Sequence, residues 1–369
     1  VRVLDLTRLL PGPFATLLLA DLGADVVRVE DPAAGDYVRH LPPLGADGQG
    51  GMFAALNRGK RSIAIDLKDA AGVRLLRALC AKADVLVEGF RPGVLERLGL
   101  APARLVEENP RLIVCSISGY GQSGPWRERA GHDIDYLALS GALSRCGESA
   151  GAPPRLPGVQ VADVMGGAQS AALGILAALL ERAQSGRGRL VDISMTEGAM
   201  SALLPHLGAV ALGQPQQHRG DDVLSGSHPC YRVYACAGGG ALALGALEPK
   251  FWERFCAAMG KPQWLDGQFD RQLSAALDAH FLTRTRDEWA ALLGPADCCA
   301  EPVLEPHEVA AHPQHAARDL FVEVAGARLL RTQPALVPTG QLPRSPAPQL
   351  GAQRAEVLRD YGIAEGDCG

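Results

Sequence analysis

The amino-terminal part of the chain predicts an α/β protein built on a Rossmann-like, doubly wound large domain, and residues 213–305 predict a smaller α+β domain joined to it. Three observations carry this expectation. Short β-branched runs alternate with helical stretches over the first 120 residues. The runs are apolar almost without interruption, as strands covered on both faces must be. At 213–229 the composition changes to "GQPQQHRGDDVLSGSHP", a polar, glycine-rich linker. At 369 residues the chain is also long for one core.

The elements follow in order. "VRVLDLT" (1–7) is a first strand, and Pro11-Gly12-Pro13 suits the start of a helix over "FATLLLADLG". "DVVRVE" (25–30), "SIAIDL" (62–67), "DVLVEGF" (84–90) and "LIVCSISGYG" (112–121) read as further strands, with an amphipathic helix over about 69–82. A long helix is expected over 161–184, where Gly166, Gly167, Ala168, Ala171 and Ala172 permit close packing, followed by a strand in "RLVDISM". In the smaller domain, "CYRVYACAGGGALALGAL" reads as a hairpin turning at Gly238–Gly240, and "EPKFWERFCAAMG" and "RTRDEWAALLG" as amphipathic helices. The proline-rich stretch 331–349 reads as an extended strap. The expected division is a large domain over 1–212, linker and small domain over 213–305, and a return segment over 306–369 packing on the large domain.

Composition narrows the chemistry. Apolar residues make up 47% and charged residues 21%, an ordinary globular balance. A net charge of -5 argues against a nucleic-acid binder. The nine cysteines are scattered without a CxxC pair, which disfavours a zinc site and suits a reducing, cytoplasmic compartment. His307, His312 and His315 have H-E-x-x-x-H spacing rather than H-E-x-x-H, so they read as surface histidines and no metal is expected. The longest apolar run, near Ser170–Leu180, is too short to span a bilayer. The fingerprint G-x-G-x-x-G is absent after the first strand, which disfavours a nicotinamide or flavin cofactor. "GQSGP" (121–125) is not a nucleophile elbow, and "NRGKRS" (57–62) lacks the spacing of a P-loop.

Three residues remain as acid–base candidates. Asp163, in "QVADVMGG", stands in the first turn of an apolar helix. It is either a plain cap or a carboxylate whose burial and helix dipole set its proton affinity, with helix N–H groups beside it to receive an oxyanion. His132, in "GHDIDYLALSGALS", is either a capping or core histidine or a base oriented by Asp133 or Glu248. Glu248, in "GALEPKFW", is either a helix amino-terminal acid or that orienting carboxylate. Arg58, Lys60 and Arg61 form a basic turn before the third strand, solvated or clamping a phosphate. Arg91 follows the fourth strand, at the edge where doubly wound sheets bind ligands.

Taken together, "RVLDLTRLLPGPFATLLLADLGADVVRVE", "NRGKRSIAIDLK", "DVLVEGFRPGVLERLGL", "PRLIVCSISGYGQSGP", "GHDIDYLALSG", "ADVMGG", "GRGRLVDISMTEG" and "GALEPKFWERF" resemble the class III (CaiB/BaiF) CoA-transferase family, and within it the α-methylacyl-CoA racemase branch. The resemblance runs to about residue 320. It implies a Rossmann-like large domain linked to a small one, and two such chains interlocked as a homodimer, with each active site between the large domain of one subunit and the small domain of the other.

The resemblance also implies roles. In the racemase branch His132 and Asp163 are an acid–base pair and Glu248 orients His132. In the transferase branch the aspartate instead attacks the acyl-CoA and forms a mixed anhydride. The form Gly131-His132-Asp133 and the lack of a four-glycine run in "DDVLSGSHP" favour the racemase. The implied reaction is 1,1-proton transfer on a 2-methylacyl-CoA thioester, with no cofactor beyond the coenzyme A of the substrate. Arg58, Lys60, Arg61 and Arg91 are the expected phosphate contacts, with Gly131 and Asp133 lining the substrate site. Two departures stand out. Asp31 occupies a place where racemases often have arginine, so that its phosphate contact is either supplied by Arg39 or missing, and loop 222–231 differs from the racemase pattern near the acyl chain.

Overall fold

Six parallel strands form the main sheet: β1 (Arg2–Asp5), β2 (Asp25–Glu30), β3 (Arg61–Ala64), β4 (Val85–Glu88), β5 (Ile113–Ser118) and β6 (Leu190–Ser194). This computed structural model describes residues 1–364 apart from 216, 333, 335, 337, 339 and 340. The strand order is β3-β2-β1-β4-β5-β6. The chain winds outward from β1 to β3 and then returns to lay β4 beside β1, with Val3 opposite Val85. That return is a topological switch point, where crossover helices leave to opposite faces and a crevice opens at the carboxyl ends of the strands. Side chains on both faces of the central strands are buried: Val3, Leu4, Val85, Leu86 and Val87 have no exposed surface. This explains why the runs read as unbroken apolar segments rather than alternating ones.

The helices match the sequence signals closely. Proline opens the helix Pro11–Asp21, where its missing N–H costs nothing. The helix Ala70–Cys80 buries Leu75, Leu76, Leu79 and Cys80. The long helix differs from expectation in kind. Its first eight residues, Ala162–Gln169, are π-helical, and the α-helix Ser170–Ser185 continues to a left-handed Gly186. Over Ala162–Ser185 it is long and apolar enough to cross a bilayer by length and composition, contrary to the shorter run read from sequence. In this fold its Ala171, Ala172, Ile175 and Ala178 are buried.

The chain forms two units. One comprises Val1–Ser140, Gly158–Leu203 and Pro313–Gly369, and the other Gly141–Pro157 and Leu204–His312. The expected boundaries at 212 and 305 therefore move to 203 and 312, and segment 141–157 joins the second unit. The reason is local: Arg145 donates to the carbonyl of Gln217 at 2.6 Å and pairs with Asp222 at 2.5 Å.

In the second unit β7 (Tyr231–Ala235) and β8 (Ala241–Gly245) form the expected hairpin, its turn using left-handed Gly238 and Gly239, and β9 (Ala300–Pro302) joins β8 antiparallel. Trp252, Phe255, Phe281 and Trp289 fill its core.

The return segment begins at Pro313. It carries an antiparallel hairpin of β10 (Phe321–Val324) and β11 (Ala327–Leu330). Beyond it the strap is tied down where the carbonyl of Ser345 accepts the Gly59 amide at 2.9 Å and that of Pro348 accepts Arg39 at 2.8 Å. Its last helix, Arg354–Tyr361, places Val357, Leu358 and Tyr361 in the same core as Leu75 and Leu76.

Candidate active site

A cleft of about 660 Å³ opens at the switch point. Its walls come from the carboxyl ends of β1, β4 and β5 and the segments that leave them (Leu6–Leu9, Gly89–Pro92 and Ile117–Gly119), with Tyr37, Arg127, Arg129–His132, Asp135, Tyr136, Asp163 and Met195 among the other lining residues. Topology thus brings His132 and Asp163, 31 positions apart in the sequence, to one cavity within the first unit.

His132 stands immediately before the helix Asp133–Ser140. Its amide donates to Asp135 Oδ2 at 2.9 Å and its carbonyl accepts the Asp135 and Tyr136 amides, so its backbone caps the helix while its side chain stays exposed. The amino end of that helix therefore lies at the cleft, where its dipole favours negative charge. Tyr136 fixes the preceding residue by donating its hydroxyl to the carbonyl of Gly131 at 2.6 Å.

Asp163 is half-buried at the start of the π-helical run. Burial pushes its carboxyl up to about 6, the neighbouring Asp133 adds to the rise, and His132 opposes it. A carboxyl in that range exchanges protons near neutrality. Asp133 Oδ1 accepts the Asp163 amide at 2.9 Å. That amide, expected as an oxyanion donor, is thus already occupied, and Asp133 links the starts of the two helices.

The basic turn is placed differently from the sequence expectation. Arg58 has no exposed side-chain surface and forms two 2.6 Å hydrogen bonds with Asp21, which Thr332 also binds. Lys60 is buried, donating to Asn57 Oδ1, Thr16 Oγ1 and the Pro13 carbonyl between 2.7 and 2.9 Å, with Asp5 at 3.4 Å. Burial pushes Lys60 down to about 7. Burial also opposes ionisation of Asp5, but the charges of Arg28 and Lys60 and two threonine hydroxyls hold its carboxyl below the ordinary value. Arg61 opens β3, at the amino end of the sheet away from the cleft, and pairs with Asp25, Glu356 and Asp360. Arg39 is buried against Glu30 at 2.6 Å and cannot replace the missing arginine at 31. Burial of such charges is tolerated because each meets a carboxylate and further hydrogen bonds. Arg58, Lys60 and Arg39 are therefore corrected from phosphate contacts to internal ones.

Arg91 alone of that set lines the cleft, exposed at its rim. Beside it stand three arginines that sequence reasoning missed: Arg8, Arg127 and Arg129. Arg129 lies over the Trp126 ring at 3.9 Å. Arg8 was within reach, since it follows β1 at the same sheet edge that singled out Arg91. Arg127 and Arg129 sit in a loop with no comparable signal.

Glu248 lies in the second unit, exposed, at the cap position of the helix Pro249–Ala258 and without a side-chain cap bond. Among the described residues, His, Cys, Asp and Glu nowhere gather in a metal-holding group of three or more, His307, His312 and His315 included. The described cysteines are all free thiols.

The model of CoA-transferase family III matches residues 1–354. The chain is 40% identical to the alpha-methylacyl-CoA racemase of Mus musculus, covering 99% of this chain and 93% of that protein. It is 33% identical to the succinyl-CoA:glutarate CoA-transferase of the same species, covering 88% of this chain and 76% of that one. The crystal structure of a CAIB/BAIF family protein from Brucella suis aligns with a TM-score of 0.85 at 29% identity, over 98% of each chain. A match across nearly the whole chain, on a fold shared with that protein, makes this chain an enzyme of CoA-transferase family III.

Proposed function

We propose that the enzyme racemises a 2-methylacyl-CoA thioester by two-base 1,1-proton transfer. The observation that carries this is the pairing of His132 with a half-buried Asp163, its carboxyl pushed up to about 6, in one cleft at the sheet's switch point. The 40% identity to an alpha-methylacyl-CoA racemase supports it.

One base removes the α-proton from one face of the thioester, and the conjugate acid of the other returns a proton to the opposite face. Asp163 serves one hand of substrate and His132 the other. The intervening enolate carries negative charge, which the amino end of the helix after His132 favours. Arg8, Arg91, Arg127 and Arg129 bind the phosphates of the coenzyme. Glu248 orients His132 from a second copy of the chain in a homodimer. No cofactor takes part beyond the coenzyme A of the substrate.

The second reading, CoA transfer through an anhydride on Asp163, rests on the same carboxylate and on the transferase relative. Incubating a single enantiomer of a 2-methylacyl-CoA with enzyme in deuterium oxide separates the two. Racemisation with one α-deuterium per turnover is expected. Retention of configuration with transfer of CoA to an added carboxylic acid contradicts the proposal and supports the transferase.

A further inference from the structure

The cleft wall contains a residue held in an unfavourable backbone state. Leu9 adopts φ +67, a region that side chains other than glycine, asparagine and aspartate rarely enter. Strain of this kind persists only where surrounding structure over-determines it, and it gathers at functional sites. Here the cause is a buried ion pair beneath the loop. Asp36 Oδ2 accepts the Leu9 amide at 3.1 Å and the Arg28 guanidinium, also at 3.1 Å. The same Arg28 nitrogen donates to the carbonyl of Thr7 at 3.1 Å. Its other terminal nitrogen meets Asn57 Oδ1 at 2.9 Å and Asp5 Oδ2 at 3.3 Å, while Asp5 accepts the Thr7 amide at 2.9 Å. Arg28 has no exposed surface and Asp36 is 1% exposed.

Asp36 also reaches a second wall of the cleft. Its Oδ1 accepts the Val38 amide at 3.2 Å and so caps the turn Tyr37–His40. Thr7, Arg8, Leu9 and Tyr37 all line the cavity, whereas Arg28 and Asp36 do not.

We propose that Arg28 and Asp36 are positioning residues that set the affinity of the cleft for the CoA thioester by holding Leu9 in its left-handed backbone and seating Tyr37, without touching the ligand. This rests on the acyl-CoA reading of the cleft. It also gives the internal charges around "NRGKRS" a role, since Asn57 and Lys60 brace the same Arg28–Asp5 arrangement from below.

The test measures binding of free CoA to the full chain by titration calorimetry, so it does not depend on which reaction follows. Asp36→Asn keeps an oxygen for one amide but removes the charge facing Arg28. Left-handed backbone costs a leucine about the equivalent of a tenfold change in an equilibrium constant, so this variant is expected to bind CoA on the order of tenfold more weakly. Leu9→Gly removes that strain. In the Asp36→Asn background it is expected to restore binding to within about threefold of wild type, a rescue that a general loss of folding would not show. In α-proton exchange the Asp36→Asn defect is expected in KM, with kcat within about threefold.

Unchanged CoA affinity in Asp36→Asn, or no rescue by Leu9→Gly, overturns the proposal. If Asp36→Asn does not fold, Arg28→Lys, whose single ammonium cannot hold Thr7 and Asp36 on one side and Asp5 and Asn57 on the other as the planar fork does, is read in the same way. If neither variant folds, the pair is a folding element and the proposal falls. Failure of the wild type to bind CoA removes the acyl-CoA reading itself, and is distinguishable because it precedes any variant.

Discussion

Asp163 illustrates how much of the chemistry is set by one side chain's surroundings. Burial is the largest influence on it and the like charge of Asp133 the next, and together they move its carboxyl from 3.8 to about 6. On the proposed two-base reaction, Asp163 must be ionised in the free enzyme when it removes the α-proton. The kcat/KM for that enantiomer is therefore expected to rise as pH increases through about 6, not near the ordinary carboxylate value. Asp133→Asn removes the like charge and should move the limb to lower pH, which a pH profile of the single enantiomer reads directly. A limb that stays in place in the variant would assign the shift to burial alone. The positions of Asp163 and His132 were legible because helix starts leave sequence signals. The fate of Arg58 and Lys60 was not. Their partners Asp21, Asp5 and Thr16 lie 37, 55 and 44 positions away, and a basic turn looks the same whether it faces water or a buried carboxylate.

Among the elements, the helix that carries Asp163 is closely packed. Its small residues announced close packing, and the structure shows against what. A Cβ on Gly198 would stand 2.4 Å from Cα of Gly166, and one on Gly166 would stand 2.3 Å from the carbonyl oxygen of Met195. Two backbones meet there with no flexible side chain to give way. Gly198→Ala is expected to destabilise the protein by roughly 1–3 kcal/mol and to lower kcat, because any separation of the helices shifts Asp163. Gly208→Ala is the control: it lies in the exposed helix Leu204–Ala211 and its Cβ would meet nothing within 4 Å. There the better helix propensity of alanine should leave stability equal or slightly higher. Urea unfolding of both variants checks this, and equal stability of the two would remove the packing argument. The π-helical run itself left no readable trace. Eight residues are too few for a changed period to show, and a π-helical stretch is fixed by its packing neighbours, which lie elsewhere in the chain.

For the whole molecule, unbroken apolar runs separated by helical stretches were enough to reveal a parallel sheet, but they could not tell which strands are neighbours. The order β3-β2-β1-β4-β5-β6 is what puts the ends of β1 and β4 side by side, and with them Arg8 and Arg91 on one cleft. The unit boundaries were legible only to within several residues, because segment 141–157 is claimed by a side-chain pair, Arg145–Asp222, rather than by composition. The hairpin β10–β11 (Phe321–Val324 and Ala327–Leu330) also went unread. The chain is similar to both racemases and transferases. The two proposed readings differ in whether His132 and Asp163 work as opposed bases. The most direct measurement is deuterium incorporation into each enantiomer of a 2-methylacyl-CoA by the His132→Gln and Asp163→Asn variants. The account predicts that each variant exchanges the α-proton of one enantiomer only, the opposite one in each case, with neither producing racemate. Exchange of both enantiomers by either variant, or CoA transfer persisting in His132→Gln and lost only in Asp163→Asn, would contradict it.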